Sequence, residues 1–215
     1  MELFAGFVLG IVASGVAAVV FDHMTSPKLE IVVDPGPRAL GDLPDGTKLE
    51  YHHVLVRNVR TARLLPGRRP AWACQANLTI FKWTGEPLTV VPVRARWASQ
   101  PMPVSSFFVG DRIIQAADMA KIIAGRRIDI FTHQDERLTI GLKHQGQTGI
   151  HLYTNESLQF ERGCNPAWKL EPGTYRLRVG VFYERGEVSA DFEFSNTGAM
   201  LDDVKIKRWS GRVTA

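Results

Sequence analysis

Five arginines fall within thirteen residues of this chain, with no acidic residue among them: Arg57, Arg60, Arg63, Arg68 and Arg69. A guanidinium stays charged at neutral pH and matches the geometry of phosphate oxygens, so such a cluster can bind anionic lipid or nucleic acid. The alternative to a binding site is that these arginines lie in a solvated loop between two strands. Nucleic acid is the less favoured ligand, because 26 Lys and Arg against 22 Asp and Glu give a net charge of only +4.

Three histidines in the middle of the chain are the only candidates for a metal site: His133, His144 and His151. Imidazole nitrogens bind zinc and copper, but the intervals of 11 and 7 residues match no established ligand spacing. No nucleophile elbow, phosphate-binding loop or dinucleotide fingerprint is present. We therefore predict no catalytic residue and no cofactor. A metalloprotein or metal-dependent enzyme that uses these histidines remains an alternative.

The two cysteines, Cys74 and Cys164, are too few for a disulfide scaffold and do not form a C-x-x-C motif. They can pair in an oxidising compartment. Otherwise Cys74 is expected to lie in the core as a small apolar residue. The sequence leaves these two possibilities open.

The first element of the chain is an uncharged apolar segment, residues 3 to 21. As a helix it spans about 28 Å, close to the thickness of a bilayer's hydrocarbon core. We therefore predict a single transmembrane helix that anchors the protein. Within it, Gly6, Gly10 and Ser14 form a row of small residues that predicts close pairing of two helices and hence a homodimer.

The distribution of basic residues near this segment predicts its orientation. Glu2 is the only charged side chain before the segment, whereas Lys28 and Arg38 follow it. Basic residues favour the cytoplasmic side of a membrane. The rest of the chain is therefore expected to be a cytoplasmic domain of a single-pass membrane protein, in contact with membrane lipid through the helix.

Beyond the linker at residues 23 to 28, the dominant pattern is alternation of apolar and polar residues with a period of two. The clearest case runs from Tyr175 to Tyr183, turns at Glu184 to Glu187, and resumes from Val188 to Phe194. This pattern predicts a β-hairpin within a set of about ten antiparallel strands packed as two sheets. Residues 111 to 124 show helical spacing instead, which predicts one inserted helix capped by Asp111.

Two segments carry a resemblance to a known class of domain. Leu170-Glu-Pro-Gly-Thr-Tyr-Arg-Leu-Arg-Val179 is similar to the L-x-P-G-x-Y-x-L-x-V segment of immunoglobulin-like bacterial β-sandwich domains, with Tyr175 as the corner tyrosine. Residues 53 to 58, followed by 71 to 80, resemble the early strands of those domains. The layout also resembles uncharacterised prokaryotic single-pass membrane proteins with a Pro-Lys-Leu-Glu-Ile junction, here residues 27 to 31. The resemblance implies an immunoglobulin-like fold and no catalytic residues.

Together these patterns predict a mainly β protein with three parts. Residues 1–22 are the transmembrane anchor, residues 23–28 the linker, and residues 29–215 an antiparallel immunoglobulin-like β-sandwich with one inserted helix. The predicted function is that of a membrane-tethered, non-catalytic binding or scaffold module acting through contacts with a protein partner. Binding of anionic lipid or nucleic acid by the arginine cluster is the second hypothesis.

Overall fold

The computed structural model describes residues 2–36, 39–43, 45–59, 67–89, 91–110, 112–160 and 163–211. Its two α-helices are α1 (Glu2–Thr25) and α2 (Met119–Ala124), and short 3-10 helices cover Glu156–Gln159, Pro166–Trp168 and Leu201–Asp203. The strands, in chain order, are β1 Leu29–Val33, β2 Ala39–Asp42, β3 Lys48–Asn58, β4 Ala71–Lys82, β5 Val93–Arg94, β6 Arg96–Trp97, β7 Val104–Val109, β8 Arg112–Ala117, β9 Ile128–Ile130, β10 Asp135–His144, β11 Ile150–Leu152, β12 Lys169–Leu170, β13 Gly173–Tyr183, β14 Gly186–Asn196 and β15 Val204–Arg208.

Two antiparallel sheets share one hydrophobic core. The first has the order β1-β3-β10-β11-β12, with β2 also paired to β3 and β6 to β10. The second has the order β15-β14-β13-β4-β5, with β9 also paired to β4. Fully buried residues of both sheets, such as Val54 and Leu138 from the first and Leu78 and Phe192 from the second, belong to the same cluster. The prediction of an antiparallel β-sandwich is thereby confirmed.

The predicted hairpin is present as β13 and β14, paired from Gly173↔Asn196 to Tyr183↔Gly186. The inward-facing residues Leu177, Val179 and Phe192 are buried, as the alternation predicts. The hydroxyl of Tyr175 donates a hydrogen bond to the carbonyl oxygen of Glu171 at 2.7 Å. The sequence pattern was reliable here because strong alternation specifies which face of a strand is buried.

The prediction of a helix over residues 111 to 124 is wrong for most of its length. Residues 112–117 form β8, which pairs with β7 as a separate two-stranded ribbon. Helix α2 begins only after Asp118, whose carboxylate accepts hydrogen bonds from the backbone N–H groups of Ala120 and Lys121. The predicted cap, Asp111, lies outside the described residues. The isoleucines that suggested helical spacing are β-branched and also favour a strand, and pairing with β7 decides the outcome.

The prediction of a transmembrane helix over residues 3 to 21, and hence of an anchor at residues 1–22, is wrong. Among the residues that the structure describes, no helix is long and apolar enough to cross a bilayer. Helix α1 itself runs from Glu2 to Thr25 and contains the apolar segment that ends at Phe21. The next residue, Asp22, forms ion pairs with the β-sandwich. Helix pairing through Gly6, Gly10 and Ser14 stays a prediction.

Candidate functional site

The predicted arginine cluster is only partly described, because Arg60 and Arg63 lie outside the described residues. Arg57, at the end of β3, lies 3.8 Å from the Asp135 carboxylate on β10. Arg68 donates a hydrogen bond to the carbonyl oxygen of Ser26 at 2.7 Å. Both residues contact other parts of the same chain, and lipid or phosphate binding by the cluster stays a prediction.

The fifth member of the cluster, Arg69, holds the end of α1 against the β-sandwich. Its guanidinium and that of Arg185 donate hydrogen bonds to the same oxygen of Asp22, at 3.0 and 2.7 Å. The hydrogen bond from Arg185 is the main reason that the pKa of Asp22 is lowered. At least this arginine therefore has a structural role at the junction of the helix and the sheets.

The three candidate histidines lie in different environments. His133 is exposed, in a turn with a left-handed φ of 73°, whereas His151 Nδ1 lies 3.4 Å from the carbonyl oxygen of Asn165. His144 Nε2 lies 3.1 Å from Cys164 Sγ. Within the described part of the chain, no group of three or more His, Cys, Asp or Glu side chains is placed to hold a metal ion.

Neither cysteine forms a disulfide bond. Cys74 is fully buried in β4, where its thiol donates a hydrogen bond to the carbonyl oxygen of Ala71 at 3.3 Å. Burial raises the pKa of this thiol to about 12. Cys74 therefore has the core position that was one of the two possibilities left open by the sequence.

A pocket of about 310 Å³ opens on the outer face of the first sheet. Residues from four separate segments line it: Tyr51, His53, Arg96, Met102, Thr139 and Tyr153. Tyr51 and His53 are two residues apart on β3, so their side chains lie on the same face, opposite the buried Val54. The pairing of β10 with β3 and β6 brings Thr139 beside both His53 and Arg96. The pocket thus depends on strand register across three strands.

Arg96 lies at this pocket with only 5% of its surface exposed. Its guanidinium donates hydrogen bonds to Asn155 Oδ1 at 2.7 Å, the carbonyl oxygen of Gln100 at 2.6 Å and Met102 Sδ at 3.6 Å. All three acceptors are uncharged, and within the described residues Arg96 forms no ion pair with a carboxylate. Burial lowers the pKa of Arg96, since removal from water disfavours the charged form.

Aromatic rings form the walls of the pocket. Tyr51 stacks on His53 with 6.4 Å between ring centroids, and meets Tyr153 edge to face at 5.2 Å. Gly163 lets the chain pack closely against Tyr153, because a Cβ at Gly163 would lie 2.8 Å from that ring. Burial raises the pKa of Tyr153 and lowers the pKa of His53 to about 4, so both side chains are neutral at pH 7.

The sequence did not identify this pocket. Apolar and polar residues alternate from Val91 to Trp97, which places Arg96 on the face away from the core, but an outward side chain on a strand normally reaches solvent. Here Gln100, Met102 and Asn155 contact the guanidinium, and neither of their two segments has a sequence pattern that predicts this contact. Tyr51 and His53 had a detectable signal, since they are two residues apart on the polar face of a strand.

The half-buried His53 is expected to make stability depend on pH. Its pKa is about 4 in the folded protein, against 6.5 for a solvated histidine, so between these values the unfolded chain binds more protons. Stability should be complete above pH 6.5 and fall as the pH drops towards 4. The loss due to this residue is up to about 3 kcal/mol, at 1.36 kcal/mol per pKa unit.

The measurement is the free energy of unfolding from urea titrations at pH 7 and pH 4.5, for the parent and His53→Gln. The variant should lose less stability than the parent over this interval, because glutamine does not titrate. His23→Gln, at an exposed position of α1, is the control and should follow the parent. Identical pH dependence in all three proteins would contradict the assignment to His53.

Comparison of the chain with protein-family models, curated proteins and solved structures finds no match. The immunoglobulin-like resemblance therefore stays a prediction, and the case for function rests on the geometry of the site.

Proposed function

We propose that this chain is a non-catalytic binding domain that takes a carboxylate group in the pocket at Arg96. The observation that carries the proposal is a buried guanidinium with no carboxylate partner in the described structure. A charge removed from water costs several kcal/mol, and neutral acceptors compensate it less well than an opposite charge does. A bound carboxylate would supply that opposite charge.

The hydrogen-bonding capacity of Arg96 supports the same ligand. A guanidinium has five N–H donors, and three of them serve Asn155, Gln100 and Met102, which leaves two without an acceptor among the described residues. Hydrogen bonds from arginine to a carboxylate are about twice as strong as those between neutral groups. Because Arg96 lines the open pocket, a ligand can reach it without unfolding the sheet.

The titratable side chains around the pocket favour binding over catalysis. A general base at neutral pH needs a pKa near 7, and His53 has a pKa of about 4. The raised pKa of Tyr153 keeps its hydroxyl protonated, and that hydroxyl is directed to Met102 Sδ at 3.8 Å. These groups are suited to shaping a ligand site and poorly suited to proton transfer.

The proposal is tested with propionate and its uncharged isostere propionamide, added to the parent protein and followed by thermal unfolding. A ligand that binds the folded state stabilises it by about 2.7 kcal/mol at one hundred times its Kd. Propionate should raise the melting temperature and propionamide should not. This comparison needs no substitution and so does not depend on whether a variant folds.

Two variants test whether the stabilisation by propionate depends on Arg96. Arg96→Met should abolish the response to propionate, because it removes the cation while keeping a long side chain. Arg94→Met, at an exposed residue of β5 two positions away, is the matched control and should respond like the parent. Equal stabilisation of the parent and Arg96→Met by propionate, or of the parent by both compounds, would refute the proposal.

A further inference from the structure

The walls of the Arg96 pocket indicate what else the ligand carries besides its carboxylate. The rings of Tyr51, His53 and Tyr153 are held by mutual stacking and edge contacts, with centroids 5.2 to 6.4 Å apart. Such rings favour another aromatic ring in an offset or edge-on arrangement, by about 0.5 to 1.5 kcal/mol per pair beyond area burial. Met102 adds a polarisable sulfur, which also makes favourable contacts with aromatic rings.

The charge of the pocket limits the charge of the ligand. Among the described residues that line it, Arg96 is the single charged group, because the low pKa of His53 keeps that imidazole neutral at pH 7. One cation balances one negative charge. A second negative charge on the ligand would remain uncompensated in a site of low dielectric constant, so a monocarboxylate fits better than a phosphate dianion.

The size of the pocket limits the ligand further. Its volume of about 310 Å³ is at the lower end of the range for small-molecule sites, which is about 300 to 1,000 Å³. A space of this size suits one ring with a short substituent.

We infer that the pocket binds a free aromatic monocarboxylate, with the carboxylate on Arg96 and the ring packed against the Tyr51 and Tyr153 pair. This inference rests on the proposed function and adds the ring to it. His53 and Met102 complete the walls of the pocket. Thr139, on β10 between β3 and β6, contributes a buried hydroxyl.

The test uses three compounds of similar size with the full chain: benzoate, cyclohexanecarboxylate and benzamide. Affinities are measured by titration calorimetry and the site is located by NMR contacts between ligand and protein ring protons. Benzoate should bind about three- to tenfold more tightly than cyclohexanecarboxylate, as expected from the aromatic contribution. Benzamide, which lacks the charge, should bind at least about tenfold more weakly than benzoate.

Tyr51→Leu should remove the preference for benzoate over cyclohexanecarboxylate while both carboxylates still bind. Tyr183→Leu, at a half-buried tyrosine in β13 of the other sheet, is the matched control and should keep the preference. In the parent, benzoate should show contacts to the ring protons of Tyr51 and Tyr153, a readout that does not depend on any variant.

The outcomes separate the two proposals. Equal binding of benzoate and cyclohexanecarboxylate, with benzamide much weaker, would overturn the aromatic inference and leave the carboxylate function standing. Equal binding of benzoate and benzamide would overturn the carboxylate function itself. Absence of binding by all three compounds would overturn both.

Discussion

Leu177→Ala is expected to lower the free energy of unfolding by about 3 to 4 kcal/mol, within the range measured for buried leucines. Leu177 is 1% exposed in the centre of β13. Its cross-strand neighbours are Ile80 on β4 and Phe192 on β14, both fully buried. Truncation therefore leaves a cavity between three strands that the surrounding side chains cannot close. Urea-induced unfolding followed by circular dichroism gives the value.

The matched control is Arg178→Ala, the next residue on the same strand and the opposite face. Its side chain is 46% exposed and forms two hydrogen bonds to the Asp191 carboxylate, at 2.8 and 3.1 Å. An exposed ion pair contributes about 0 to 1 kcal/mol, so this variant should lose no more than that. Similar losses for both variants would contradict the burial pattern assigned to β13.

Asn58→Ala is expected to cost about 2 to 4 kcal/mol, because one buried side chain joins three segments. Asn58, 2% exposed at the end of β3, accepts a hydrogen bond from the Lys28 N–H at 3.2 Å. It donates to the carbonyl oxygens of Arg69 at 2.8 Å and Ile130 at 3.4 Å. Alanine leaves these backbone groups without their partner, and each unsatisfied buried group costs about 1 to 3 kcal/mol.

Asn77→Ala is the control for Asn58→Ala. Asn77 lies on β4, half-buried on the face opposite the core, between Arg94 and Gly180 on the neighbouring strands. Its replacement should change the free energy of unfolding by about 0.5 kcal/mol or less, as is usual for surface positions. Hydrogen exchange of the Lys28 amide adds a local readout, since that N–H should become less protected only in Asn58→Ala. Unchanged exchange in that variant would exclude the joining role.

The β13–β14 hairpin shows how far local sequence could predict the fold. Its alternation extends over both strands, so only one register buries the inward-facing apolar side chains such as Leu177, Val179 and Phe192. Residues 112–117 show the limit, because their isoleucines satisfy a helical and a strand pattern equally well. The partner strand β7 decides between them, and its contribution does not appear in the local pattern.

The apolar N-terminal segment shows a different limit. Its composition correctly predicted a helix, and α1 runs from Glu2 to Thr25. The prediction that this helix crosses a membrane was wrong. The contacts of Asp22 with Arg69 and Arg185 tie the end of the helix to the sheets, and they join residues up to 163 positions apart. Whether residues so far apart in the sequence form an ion pair depends on the tertiary structure.

The sequence by itself determined the β-sandwich class, the hairpin and the inward faces of its strands, because these follow from periodicity within a few residues. It also determined that Arg96 points away from the core. Only the tertiary structure decided that Arg96 is buried, since its guanidinium contacts Gln100, Met102 and Asn155, the last of them 59 residues away. Burial changes the role expected of Arg96. A guanidinium in water is stabilised by the solvent and needs no partner, whereas a buried guanidinium surrounded by neutral groups favours an anionic ligand.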